Sequence, residues 1–168
     1  MSNKTVPVSV LLAVLALTIF RSSFAAGDDV HVISESDMKS WWLPAHSNSA
    51  PQYPIDALKS GAEGCVAVAF EIHSDGSVSN ERVWHSDLTN VWASKQIEQS
   101  ALLAAHQWQF VPASTNTGRI PVYTYIVHTF TIDNSRDADH RSKCEMSDFP
   151  QQVQSMINAA ASAKGATQ

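Results

Sequence analysis

Positive charge is scarce in this chain of 168 residues: eleven Lys and Arg stand against sixteen Asp and Glu, for a net charge of -5. The basic residues form no cluster, which argues against nucleic acid as a partner, because phosphate binding is driven by clustered Lys and Arg. Cysteine is scarce too. Cys65 and Cys144 are the only two, and without a close pair they do not form a zinc pattern. No stretch inside the body is apolar for the roughly 18 residues that a spanning helix needs. Ser86 beside His85 lacks a G-x-S-x-G turn, and no carboxylate is marked out as an orienting third member, so no enzyme is expected. The histidines, at positions 31, 46, 73, 85, 106, 128 and 140, show no ligand spacing such as i, i+4 with an acidic partner, so neither metal nor cofactor is expected. His85 and His128, on two strands, are the one pair that could approach each other.

What is present begins with Lys4, an apolar run from Val6 to Phe20, and the small-residue stretch ending in Ser23, Phe24 and Ala25. These are the three regions of a signal peptide, with cleavage expected after Ala25, so residues 1–25 are read as an address and the protein as periplasmic. The alternative is an uncleaved inner-membrane anchor, but a run of this length reaches only about 22 Å against a hydrocarbon core of roughly 30 Å. Cleavage removes Lys4 and Arg21 and no acidic residue, which takes the net charge from -5 to -7.

Residues 26–51 have no sustained period and are read as an extended arm. Tyr53-Pro54 opens a short helical pattern with Ile55 and Leu58 on one face and Gly61 as its stop. From Gly64 the period becomes two: Val66, Val68, Phe70 and Ile72 alternate with Cys65, Ala67, Ala69 and Glu71, a strand with one face on the core. Asp75-Gly76 turns a hairpin. Val78 and Val83 have opposite parity, which predicts a bulge near Asn80 to Arg82 in the returning strand. Trp92, Ile97, Ala101, Ala104, Ala105 and Trp108 follow helical spacing, and residues 120–132 form the longest strand, rich in β-branched and aromatic side chains. Residues 134–168 read as a polar linker and a tail helix striped by Phe149, Val153, Met156 and Ile157. The expected fold is α+β: a small antiparallel three-stranded sheet with two helices packed on it, plus the C-terminal tail helix.

Tyr53, Pro54, Gly64, Val66, Val68, Phe70, Ile72, Asp75, Gly76, Val78, Ala101, Ala104, Trp108, Phe110 and Pro112 fall in one ordered series. That series resembles the TonB C-terminal domain family: Tyr-Pro, a short helix, G-x-V-x-V-x-F-x-I-x-x-D-G-x-V, A-x-x-A-x-x-x-W-x-F-x-P and a final strand, here within residues 52–133. Each matched residue also has a structural use in turn or core, so the motif identifies the scaffold. Transducers of this family carry an anchor with a membrane histidine and a proline-rich spacer, whereas here the apolar run has no His and the arm only Pro44 and Pro51.

The resemblance implies a peptide-binding module of envelope transport. By it, the final strand pairs with an extended motif near the N-terminus of outer-membrane transporters. The expected docking residues are Thr124, Tyr125, Ile126, Val127, His128, Thr129 and Phe130, with Gln52, Tyr53 and Pro54 flanking, and Tyr125, Val127 and Thr129 selecting by alternate side chains. The alternative is a structural envelope adaptor or homodimer that uses the same fold without transporter coupling. Parity puts Cys65, Ala67 and Ala69 on the second face of the sheet, small enough to receive the tail helix closely. In an oxidising compartment a Cys65–Cys144 disulfide would clamp the tail there; a frayed tail with reduced or intermolecular cysteines is the other reading.

Overall fold

The computed structural model describes residues 30–45 and 48–165. The expected signal peptide lies outside the described residues.

Nine residues of alternating sequence make β3 (Gly64–Ile72) the centre of the molecule. Val66, Val68, Phe70 and Ile72 enter the main core, while Cys65, Ala67 and Ala69 enter a second cluster on the opposite face. The strand is thus buried on both sides. β4 (Val78–Leu88) returns antiparallel beside it. Gly76, at φ 83°, makes the turn and lies so close to the next layer that a Cβ would stand 2.0 Å from the Phe110 carbonyl oxygen. The register of β4 shifts twice, between Ala67 and Val68 and between Ala69 and Glu71, and Asn80 takes a φ of 58°. The second shift is the bulge that the parity of Val78 and Val83 predicts.

On the main face lie α1 (Ile55–Lys59) and α2 (Val91–Ala105). Asn90 caps α2 by accepting the Trp92 N–H at 3.0 Å, and the small residues Ala93, Ala101 and Ala105 let the helix lie close on β3. β6 (Val122–Phe130) pairs antiparallel with β3 over nine consecutive residues, from Ile72 opposite Val122 to Gly64 opposite Phe130.

The sheet is not the three-stranded antiparallel one expected. It has four strands in the order β1-β6-β3-β4, and β1 (His31–Val32), from the arm, joins β6 in parallel. The arm is also not merely extended. Beyond a 3₁₀ turn at Met38–Ser40 it forms β2 (Trp42–Pro44), which pairs with β5 (Phe110–Pro112) as a separate two-stranded sheet. Trp42 is fully buried there, its indole N–H donating to the Ile120 carbonyl at 3.0 Å. Parallel and antiparallel pairings between segments so far apart leave no local period, which is why the sequence reading passed over them.

The stretch read as a polar linker carries α3 (Asp137–Cys144), followed by α4 (Phe149–Gly165). Both sit on the second face. Cys144 is joined to Cys65 by a disulfide with Cα atoms 6.0 Å apart, and Phe149 is buried between Trp84, Tyr123 and Tyr125 at ring distances of 4.9, 5.8 and 4.8 Å. The fold is therefore three layers, with helices on both faces of the sheet. None of the described helices is long and apolar enough to cross a membrane.

Candidate functional site: the β6 edge

In an antiparallel pair, alternate residues turn both backbone groups toward the partner or away from it. Val127 turns away from β3: its N–H donates to the Glu35 Oε1 at 3.3 Å and its carbonyl accepts from the Arg141 Nη1 at 2.9 Å. By the same alternation Tyr123, Tyr125 and Thr129 present backbone groups at the outer edge, whereas Thr124, Ile126, His128 and Phe130 present theirs to β3.

The arm takes the first part of that edge. His31 N–H donates to the Pro121 carbonyl at 3.2 Å, and Ile33 N–H to the Tyr123 carbonyl at 3.0 Å. At Ser34 the arm leaves the edge, and Glu35 reaches back to Val127. Its other carboxylate oxygen pairs with Arg141 at 2.7 Å, and Arg141 pairs in turn with Glu145 at 3.2 Å. Burial pulls the Arg141 pKa down, but the Glu35 hydrogen bond and charge, together with Glu145, outweigh it and hold the guanidinium above its ordinary value. Between arm and β6 a groove of about 610 Å³ is lined by Glu35, Met38, Tyr125, Arg141 and Met146.

The expected docking residues divide by parity. Thr124, Ile126, His128 and Phe130 point into the main core, and the Thr124 hydroxyl finds no partner there. His128 packs 5.2 Å from Trp108, its Nε2 buried without a partner, and burial, with the Arg141 charge behind it, pushes its pKa down to about 4. His85 lies opposite Ala67 and His128 opposite Val66, residues of opposite faces, so the two histidines do not meet. Tyr125 and Val127, 4% and 3% exposed, lie under α3 and α4, and the Thr129 hydroxyl donates to Asp137. The side chains expected to select a peptide are thus covered, and what the strand offers outward is its backbone. Tyr125 is fixed by donating to the Met146 carbonyl at 3.0 Å and accepting its N–H at 2.9 Å; burial raises its pKa.

The flanking residues are separate from this edge. The Gln52 carbonyl accepts from Ser100 at 2.5 Å, Pro54 precedes α1, and the Tyr53 hydroxyl donates to the Ala62 carbonyl while its ring meets Phe130 edge-on at 5.5 Å. Sequence reasoning missed Glu35 and Arg141. A signal existed for the first: Val30, Val32 and Ile33 just before it are β-branched strand formers.

The sequence family described as Gram-negative bacterial TonB protein C-terminal matches residues 49–132, half of the chain. The chain belongs to that family. Within its TonB-type domain lie α1, α2 and β3 to β6, whereas the arm with Glu35 and the back layer with Cys144 and Arg141 fall outside the match. Protein TonB2 of Pseudomonas aeruginosa is 35% identical over 66 residues, which cover 39% of this chain and 23% of that protein. The chain thus matches about a quarter of the length of this curated relative. Among solved structures, the Pseudomonas aeruginosa TonB C-terminal domain is 25% identical, with a TM-score of 0.46, over 62% of this chain and 97% of that one. The Helicobacter pylori TonB C-terminal domain (residues 179-285) is 27% identical, with a TM-score of 0.36, over 51% and 72%. The family makes this a TonB-type C-terminal domain.

Proposed function

We propose that this TonB-type domain grips extended N-terminal segments of outer-membrane transporters by adding them as a strand to β6. One observation carries the reading: β6 runs nine residues in unbroken register and already holds a short parallel strand, that of the arm, on its outer side. An edge of this kind binds through backbone groups, with affinity that tolerates sequence variation. Release of the domain into the periplasm by cleavage after Ala25 belongs to the same proposal, and would leave the arm beginning a few residues before β1.

Titration of the protein with synthetic transporter N-terminal peptides tests it, with Thr129→Pro as the variant. Proline there removes an outward N–H without touching the β3 ladder, so binding should be lost while the far-UV spectrum is kept. Absence of saturable binding by the unmodified protein would sink strand addition. In whole cells, cross-links to transporters support this reading, and cross-links only between copies of the chain or to a scaffold protein point to a structural adaptor. Recovery of the intact chain in the inner membrane would overturn the cleavage.

A further inference from the structure

An edge strand that accepts a partner must have backbone groups to offer, and at Pro121, Tyr123 and Val127 those on the outer side of β6 are engaged. The arm backbone serves Pro121 and Tyr123. At Val127 two side chains do what a strand would do: the Glu35 carboxylate stands in place of an incoming carbonyl, and the Arg141 guanidinium in place of an incoming N–H. The two come from segments on either side of the family domain, and they are bonded to each other. A peptide cannot pair with this stretch of β6 until they move.

The cover is also weakly held. β1 is two residues long, and Glu35 and Arg141 keep 18% and 37% of their side chains exposed, so solvent screens their attraction. Short ladders open at low cost. Opening has one specific penalty: it leaves the Val127 N–H without its acceptor and Arg141 with Glu145 alone. A ligand that brings its own carboxylate removes that penalty.

We propose that the arm is an intramolecular competitor for the β6 edge, latched by Glu35 and Arg141, and that the peptide which displaces it is an extended segment carrying an acidic side chain in the place of Glu35. The claim deepens the strand-addition reading and rests on it. The arm itself defines the ligand: His31, Val32 and Ile33 extended along Pro121 to Tyr123, then a turn of the chain at Ser34 that brings a carboxylate to Val127 and Arg141. The groove beside Met38, Tyr125 and Met146 leaves room for the residues around that acid.

The test uses the full chain and a labelled synthetic peptide with the arm's own sequence from Val30 to Ser36, added in trans and followed by fluorescence anisotropy. Glu35→Ala opens the latch, so its affinity for the peptide should exceed that of the unmodified chain by about tenfold, the closed fraction no longer competing. The same peptide with Gln at the acidic position should lose most of that gain. Hydrogen exchange at the Val127 amide should quicken in Glu35→Ala without any ligand. Equal affinities for the two proteins, or unchanged exchange at Val127, would overturn the latch. Transporter peptides run in parallel separate this outcome from failure of the wider reading. If they bind the unmodified chain and Glu35→Ala equally, the latch falls and strand addition stands. If only the arm peptide binds, and more tightly to Glu35→Ala, the latch stands and the transporter assignment falls. If neither peptide binds either protein, both fall.

Discussion

Two strands flank β3, and their outer sides are protected in different ways. β4 carries two breaks of register and a left-handed Asn80, which twist it away from the flat geometry that another strand needs. β6 has no break over nine residues and would pair with any extended chain. It is protected by cover instead, from the arm along its first residues and from Glu35 and Arg141 at Val127. A bulge is permanent, whereas a cover can be lifted. The difference favours β6 as the proposed docking edge, because only a removable protection is compatible with binding.

The largest way to break this contrast is to release the layer that holds Arg141. Cys144→Ser should lower the unfolding free energy by on the order of 4 kcal/mol, as expected for a crosslink closing a loop of about 80 residues. Denaturant unfolding measures it. Amide exchange should then rise at Val127 more than at Ser86 on β4; equal changes at both would mean that the clamp does not serve the edge.

Acidification comes next. His128 is neutral in the fold because burial holds its pKa at about 4, against 6.5 for the ordinary group. The unfolded chain therefore binds the extra proton first, so the stability is full above about pH 6.5 and is lost as pH falls toward 4. The loss is at most on the order of 3 kcal/mol, reduced because part of the ring still meets water. His128→Leu should flatten the stability profile across that window, and a profile as steep as that of the unmodified protein would assign the dependence elsewhere.

Paired prolines sharpen the comparison directly. Thr129→Pro should weaken binding of transporter peptides about tenfold or more, while Ser86→Pro, at an outward position of the bulged edge, should leave the affinity unchanged. A loss with Ser86→Pro would make β4 the docking edge. The smallest expected effect is at Arg82, which stacks 4.3 Å over Trp84 and donates to the Tyr123 hydroxyl at 2.9 Å, tying β4 to β6 across the second face. Arg82→Ala should cost about 0.5–1 kcal/mol in thermal or denaturant unfolding, the range of an exposed cation–π contact.

What the sequence disclosed followed from local periods. β3, the Asp75-Gly76 turn, α2 and the bulge near Asn80 were legible because neighbouring residues carry the pattern. So was the clamp, since Cys65 shares parity with Ala67 and Ala69, although of the expected stripe only Phe149 and Val153 meet that face, while Met156 and Ile157 are exposed. What stayed hidden depends on residues distant in the chain. Trp42 enters the core through a three-residue strand, and α3 buries only His140 and Cys144 of its eight residues, too few to show a stripe. The final strand was legible, but the burial of Tyr125 and Val127 was not, because the helices that cover them follow later in the sequence.

The short parallel contact of β1 has a consequence in time. His31 and Val122 are about 90 positions apart, whereas β3 and β4 are joined by a tight hairpin. Local pairings form early and distant ones late, so the arm reaches its place only after the strand it covers has been assembled. With two residues of ladder it is also the first element to leave. Last to arrive and first to depart, it leaves each molecule with a bare edge at both ends of its folded life, before closure and at the onset of unfolding.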